Sequence, residues 1–273
     1  RQAVRNGTLM TTSPEAIRRA ADLLFEAGTS GVPVAPIRDL LEAGDVAAAY
    51  AVQEINTRRA LDAGRRLVGR KIGLTSLAVQ KQLGVDQPDY GMLFADMARP
   101  EALDVSLADV MQPKVEAEIA FVLGRDLDGE QLTVADLFRA IDYAVPAIEI
   151  VGSRVAKWDI RITDTIADNA SSGLYVLGSR PVRLGDFDPR LCGMVMEKAG
   201  EPVSVGAGAA CMGSPLNATL WLAQVMAKAG YPMRAGDTIL SGALGPMVPV
   251  APGDVFDVAI EGLGSVRAAF SKE

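Results

Sequence analysis

KVEAEIAFVLG, residues 114–124, decides the fold. Val115, Ala117, Ile119, Phe121 and Leu123 take one face of an extended chain, and Glu116, Glu118, Ala120 and Val122 take the other. Successive side chains of a strand point to opposite sides, so this is a β-strand with one wholly apolar face. The second face carries two carboxylates two residues apart. Like charges that close repel unless a cation or a proton compensates them. A hard divalent cation is the natural compensator, and a third oxygen ligand completes a facial site. A solvent-facing strand edge with two glutamates gives the same pattern, so the pair alone leaves both readings open.

Upstream, the chain has the period of helices. Thr12-Ser13-Pro14-Glu15 reads as a helix start with a capping box, and Ile17, Ala20, Ala21 and Leu24 follow on one face. Gly28 to Pro36 is rich in turn formers. A second helix is expected over Ala47 to Leu61 with Tyr50, Ile55 and Leu61 inward. Arg66 to Leu74 reads as extended, and Ser76 caps a short helix that Gly84 ends. Pro88, Pro100 and Pro113 then punctuate extended segments.

Downstream, a helix is expected from Thr133 to about Ala144, and strands at Val145–Val151, Leu174–Leu177 and Cys192–Lys198. Glu197-Lys198-Ala199-Gly200-Glu201 reads as a hairpin turn. Ser214-Pro215 opens a helix to about Ala229, stopped by Gly230. Thr238–Ala243, Val255–Ile260 and Ser265–Phe270 alternate again. The expected class is α+β. Residues 1–9 precede Met10 and read as a leader or tag remnant, residues 10–65 as a helical region, and residues 66–273 as a β-rich domain.

Composition removes whole classes of function. The chain has 273 residues, 49% of them hydrophobic, and a net charge of -7. That acidity, with no basic run, argues against nucleic acid or an anionic membrane as partner. No apolar run approaches the ~20 residues that span a bilayer. The two cysteines, Cys192 and Cys211, fit small core residues of a cytoplasmic protein. Histidine is absent, which excludes Ser-His-Asp and Cys-His catalysis and His-ligated zinc. A metal held here takes oxygen ligands, and that favours Mg²⁺, Mn²⁺ or Ca²⁺.

Four further features bear on chemistry. Glu149 lies in the apolar run Pro146-Ala147-Ile148-Glu149-Ile150-Val151, where a carboxylate has to be paired or ligating. Arg154 and Lys157 are the nearby partners in sequence. Lys71, flanked by Gly69 and Gly73, suits a group that polarises a substrate oxyanion, and a solvated surface lysine is the plain alternative. Asp89 lies in Gln87-Pro88-Asp89-Tyr90-Gly91, which also reads as a turn. Asp164 to Gly173 is dense in short polar residues and reads as a loop able to hydrogen-bond a carboxylate or support a metal site. Gly206-Ala207-Gly208 lacks the third glycine of a dinucleotide fingerprint, and Asp126-Leu127-Asp128-Gly129-Glu130 lacks the spacing of a calcium loop and reads as a turn.

VGRKIGLTSLAVQKQLGVDQPDYGMLFADM (68–97), QPKVEAEIAFVLGRDL (112–127), VPAIEIVGSRVAKWDIRITDTIADNASSGLYVLG (145–178) and GDTILSGALGPMVPVAPGD (236–254), with APIRDL (35–40), resemble in this order the 2-keto-4-pentenoate hydratase (2-hydroxypenta-2,4-dienoate hydratase) family of the fumarylacetoacetate hydrolase superfamily. The resemblance covers nearly all of the chain after Met10. It implies a fumarylacetoacetate-hydrolase-like mixed β-sheet, or β-roll, with a short N-terminal helical region. It implies Mg²⁺ or Mn²⁺ bound by Glu116, Glu118 and Glu149, catalytic Lys71 and Asp89, and substrate contacts at Leu74 and Ser171. Ser172 stands where the family often has Cys, and Ser241 where it has Thr.

The activity so implied is hydration of 2-hydroxypenta-2,4-dienoate to 4-hydroxy-2-oxopentanoate in aromatic meta-cleavage degradation, in the cytoplasm. The division of labour between Lys71 and Asp89 stays open. The sister 2-oxo-3-hexenedioate (4-oxalocrotonate) decarboxylase is the first alternative. A non-catalytic, metal-stabilised assembly subunit is the second, since enzymes of this pathway associate. The resemblance also implies a homo-oligomer, with pentamer-based decamers as the leading form.

Overall fold

The computed structural model of the chain describes residues 4–5, 8–9, 11–77, 80–81, 85–129 and 131–272, with side chains from residue 11 onward. The leader reading of residues 1–9, most of the helix expected between Ser76 and Gly84, and Glu130 of the expected turn fall outside the described residues.

β1 (Val4–Arg5) and β2 (Thr8–Leu9) pair antiparallel with each other. α1 (Pro14–Ser30) begins where Ser13 Oγ accepts the N–H of Ala16 at 3.2 Å and ends at Gly31, φ 72°. Its buried face is Ile17, Ala20, Ala21, Leu24 and Ala27, as the periodicity predicts. The expected capping box does not form: Ala16 stands three residues after the cap, and Thr12 instead donates its hydroxyl to Asp45 Oδ2 at 2.9 Å. α2 (Val46–Asp62) is capped by Asp45, which accepts the N–H of Ala48 at 2.9 Å. Its inward residues are Ala47, Ala48, Ala49, Val52 and Gln53, and Leu61 is exposed. Tyr50 and Ile55 are half-buried against the core as expected, so only the inward placement of Leu61 is corrected. Small alanines let α2 approach its neighbours closely and leave the bulky residues on the flanks.

The remaining elements are β3 (Leu67–Gly73), β4 (Asp89–Phe94), β5 (Ala98–Arg99), β6 (Asp104–Val105), β7 (Lys114–Leu123), α3 (Val134–Ala140), β8 (Ile141–Val151), α4 (Ile162–Ala167), β9 (Leu174–Leu177), β10 (Gly193–Lys198), β11 (Glu201–Ala207), α5 (Pro215–Lys228), β12 (Thr238–Ala243), β13 (Val248–Pro249), β14 (Val255–Ile260) and β15 (Gly264–Phe270). The helix expected to reach Ala144 stops at Ala140. Ile141 is already extended, φ -71° and ψ 120°, because residues 141–151 pair with β7 along their length. The β10–β11 turn at Ala199 and Gly200 has φ 53° and 81°, as the hairpin reading predicts.

One sheet runs β4-β3-β12-β7-β8-β9-β5, with β13 also on β7, and a second runs β11-β10-β14-β15-β6. β12 is parallel to β3, and β7 is antiparallel to both β12 and β8. One apolar cluster passes through both sheets, from Ile119, Phe121 and Ile148 to Phe256, Val258 and Phe270. Burial of each such side chain contributes ~1.5–3 kcal/mol. A second cluster joins Ile17, Leu24 and Val52 to Val155 and Ile166, fastening α1 and α2 to α4. The structure is thus α+β, a mixed β-fold with helices at its N-terminal side. Among the described residues no helix is long and apolar enough to cross a membrane.

Candidate metal and active site

The antiparallel register of β7 and β8 sets Glu116 opposite Glu149 and Glu118 opposite Ala147. All four residues therefore share one face. One carboxylate oxygen from each of Glu116, Glu118 and Glu149 lies within 4.8 Å of the other two. Glu118 and Glu149 are buried and Glu116 is half-buried. The face opposite the apolar one is thus an enclosed site, not a solvent-facing edge. Glu118 Oε2 accepts the N–H of Gly242 at 2.9 Å. That contact comes from an irregularity in the β12–β7 ladder between Leu240 and Ala243, where Gly242 has φ 112°. Glu118 Oε1 and Glu149 Oε2 accept no hydrogen bond, and Glu149 Oε1 has an ion-pair contact with Lys71.

Buried carboxylate oxygens without donors are costly. Burial, then the charge of Glu149, raises the Glu116 carboxyl to about 7, and the same causes push Glu118 well above its ordinary value. Three converging carboxylates with spare oxygens are the donor set a hard divalent cation takes. The residues present therefore fit Mg²⁺ or Mn²⁺.

Lys71, on β3, reaches the same face. Its Nζ lies 3.1 Å from Glu149 Oε1 and donates to the carbonyl of Ala170 at 2.8 Å. Glu149 therefore pairs with a residue 78 positions away in the chain, not with Arg154 or Lys157; Arg154 pairs with Asp168. Burial alone lowers the Lys71 ammonium, but Glu149, then Asp89, Glu116 and Glu118, override it and hold it above its ordinary value. The surrounding carboxylates thus favour the charged form of Lys71.

Asp89 opens β4 opposite Gly73. A side chain at Gly73 would place Cβ 2.2 Å from Asp89 Oδ1, so this contact requires glycine. Asp89 Oδ2 accepts from Thr165 Oγ1 at 3.3 Å, and Oδ1 accepts no hydrogen bond. Burial raises the Asp89 carboxyl, with Lys71 opposing.

The segment expected as a loop from Asp164 to Gly173 is instead the end of α4 and a tight left-handed turn. Asn169, Ala170 and Ser171 have φ 55°, 52° and 55°. Each such residue other than glycine costs ~1–2 kcal/mol. Asn169 holds the turn by donating to Met92 O at 2.9 Å and accepting from Met92 N at 2.7 Å. The turn presents Ala170 O to Lys71 and sets Ser171 Oγ 3.1 Å from Thr165 Oγ1. Strain held by surrounding bonds is a mark of functional sites. Ser172 Oγ donates to Asn169 O and so belongs to the turn. Leu74 follows Gly73 with φ 55°, half-buried, its carbonyl accepting from Gln80 Nε2 at 2.7 Å.

Thr165, Asn169 and Gly242 were not individually legible. The density of short polar residues in 164–173 marked the first two, and the Ser241-Gly242 pair within an alternating strand marked the third.

Known proteins are similar to this chain over nearly all of its length. A TodF product hydratase of Pseudomonas putida is 76% identical over 264 residues, covering 97% of this chain and 98% of its own. A 2-keto-4-pentenoate hydratase of Paraburkholderia xenovorans is 58% identical, covering 94% and 96%. The structure of a 4-oxalocrotonate decarboxylase from Pseudomonas putida G7, complexed with magnesium and adipate, superposes with a TM-score of 0.91 at 37% identity, covering 96% of this chain and 99% of that one. Residues 69–271 match the family described as fumarylacetoacetate (FAA) hydrolase C-terminal, a span that holds every glutamate, lysine and aspartate of the site. The chain belongs to the fumarylacetoacetate (FAA) hydrolase family.

Proposed function

We propose that this chain is a metal-dependent hydratase that adds water to 2-hydroxypenta-2,4-dienoate (2-keto-4-pentenoate), giving 4-hydroxy-2-oxopentanoate in aromatic meta-cleavage degradation. The observation that carries it is the Glu116, Glu118 and Glu149 cluster, within 4.8 Å and short of hydrogen-bond donors, beside buried Lys71 and Asp89. Hydratase relatives at 76% and 58% identity favour water addition over the decarboxylation of the 37% neighbour.

Glu116, Glu118 and Glu149 hold the cation. When bound, it supplies Lewis acidity toward the carboxylate and C2 oxygen of a 2-oxo acid. Lys71, kept protonated, donates to the C2 oxygen and stabilises negative charge there. Asp89 carries the proton: its Oδ1 is free, and burial brings its carboxyl closer to the working pH. The enol proton leaves O2 and C5 gains one, giving the conjugated 2-oxo-3-enoate. Water then adds its hydroxyl to C4 and its proton to C3. Ser171, joined to Asp89 through Thr165, orients the substrate, and Leu74 walls it at the end of β3.

A scaffold has no need of a buried lysine and aspartate for proton transfer, and that disfavours a purely structural role. The working form is a cytoplasmic homo-oligomer. The two free cysteines support a reducing compartment. Val195 and Val205, cross-strand partners and both exposed, with Ala259 beside Val195, supply an apolar sheet face for a second copy. Light scattering after size exclusion reads the assembly.

Decay of freshly made 2-hydroxypenta-2,4-dienoate, followed in the ultraviolet, tests the activity. Turnover is expected with Mg²⁺ or Mn²⁺ and is lost to chelator. Release of CO₂ from 2-oxo-3-hexenedioate without dienoate hydration would replace the hydratase with the decarboxylase. Inactivity on both would favour the assembly subunit.

A further inference from the structure

β3 and β4 have two faces, and the candidate site uses one. Lys71 and Asp89 point to it. Arg70, paired with Met92, and Tyr90, paired with Ile72, point to the other. There, under α2 and the C-terminal end of α5, is a cavity of about 530 Å³ lined by Tyr50, Leu67, Arg70, Tyr90, Met92 and Met226, among others. That size is typical of small-molecule sites, ~300–1,000 Å³.

Arg70 is the anomaly. Arg70 is 5% exposed, yet its Nε has no partner and, among the described residues, its one side-chain hydrogen bond runs to the carbonyl of its own neighbour, Gly69, at 3.0 Å. Asp237 acts on it only at a distance, with no ion pair between them among the described residues. The carboxylate on the cavity wall, Glu54, is held by Arg58 at 2.7 Å. A buried guanidinium without a carboxylate is costly, and its planar fork is built for one. Beside Arg70 the wall is flat and apolar, with Tyr50 and Tyr90 stacked at 4.5 Å between centroids and Met92 and Met226 adding polarisable surface, while Arg58 and Lys228 add positive charge.

We propose that this cavity is a second binding site, for a monocarboxylate with a planar apolar body the size of benzoate, with Arg70 as the carboxylate partner. Arg70 and Tyr90 each adjoin a candidate catalytic residue, Lys71 and Asp89, by one peptide bond. A ligand on the back face therefore presses on the strands that position both. The site is independent of the hydratase reading and contains none of its residues.

Calorimetric titration of the full chain with benzoate tests this, once after exhaustive chelation and once loaded with Mg²⁺. One saturable site per chain is expected in both states, with benzyl alcohol binding at least tenfold more weakly. Arg70→Met, which removes the charge and keeps the bulk, and Ala51→Phe, which fills the cavity from α2, should each weaken benzoate at least tenfold. The melting temperature of each variant reports whether it folds, and Ala51→Phe leaves Arg70 in place if Arg70→Met does not. No saturable binding, binding that disappears with the metal, benzyl alcohol binding as well as benzoate, or wild-type affinity in a folded variant would each overturn the proposal.

Discussion

Lys71 and Glu149 form an ion pair, 3.1 Å between Nζ and Oε1, with side chains 4% and 1% exposed. The register of β7 and β8 places Glu149 across from Glu116, and the third carboxylate, Glu118, follows two residues on. An ammonium and the candidate metal cluster thus share one glutamate. The ammonium offsets part of the negative charge of the three carboxylates, and it would compete with a cation for the same oxygens.

That competition separates two roles for Lys71. Lys71→Met is expected to lower kcat by at least ~100-fold, the scale of a lost proton donor or oxyanion partner. Affinity for Mn²⁺, measured by calorimetry, should hold or rise, because a like charge beside the site is gone. Equal loss of turnover and metal affinity would make Lys71 a structural support of the cluster and remove it from catalysis.

Glu118→Gln tests the cluster from the other side. Glu118 Oε1 and Glu149 Oε2 are buried carboxylate oxygens that accept no hydrogen bond. Neutralising one carboxyl relieves repulsion by about 1 kcal/mol, which for a chain of this size raises Tm by about 2–4 °C. Gln can keep the contact with the N–H of Gly242 through its carbonyl oxygen. In the wild type, Mg²⁺ should raise Tm, and in the variant this response should largely disappear. A lowered metal-free Tm with an intact Mg²⁺ response would place the metal elsewhere.

The strand face of β7 was legible because alternation is local: it needs only the period of two that a pleated chain imposes on residues 114–123. The helix starts at Ser13-Pro14 and Ser214-Pro215 are equally local, and the structure has helices beginning at both. Pairings between distant strands were not legible. That Glu149 meets Lys71, and not Arg154 or Lys157, follows from the β3–β12–β7–β8 order, which no window of residues contains. The left-handed run Asn169-Ala170-Ser171 was read as loop because such strain exists only where other elements enforce it, here Met92 of β4. On α2, Tyr50 and Ile55 follow the expected face, whereas Leu61 is exposed and the most buried positions are alanines, because close approach to α4 favours small residues and that depends on the neighbour.

Asp45 provides a pH test away from the site. It accepts from Thr11 N, Thr12 N and Oγ1, and Ala48 N at 2.8–2.9 Å, which joins residues 11–12 to the start of α2. Burial raises its carboxyl, but these donors, Thr12 first, win and hold it below the ordinary value. A carboxyl depressed in the folded state stabilises fully above its unfolded pKa, ~3.9, and that stability is lost as pH falls through the folded value. Asp45→Asn should therefore cost about 1–2 kcal/mol near neutral pH. Wild type and variant should converge in urea-melt stability as pH falls through the depressed folded-state value. A gap independent of pH would mean that the side-chain charge contributes nothing.

Gly73→Ala isolates Asp89. Gly73 lies in regular strand conformation, so alanine is acceptable to the backbone itself. The added Cβ would stand 2.2 Å from Asp89 Oδ1 and 3.5 Å from Lys71 Nζ. The neighbour that has to move is the Asp89 carboxylate, and its rotation breaks the contact of Oδ2 with Thr165. The three glutamates sit on other strands and keep their geometry. The variant should bind Mn²⁺ as the wild type does, with KM little changed. Its kcat should fall ~100-fold, the scale of a displaced proton-transfer group. Thr165→Val reaches the same carboxylate from its opposite oxygen and should lower kcat in the same direction with a smaller effect, because Oδ1 still faces the site. If Gly73→Ala retains wild-type kcat while Lys71→Met loses it, Lys71 carries the chemistry without Asp89.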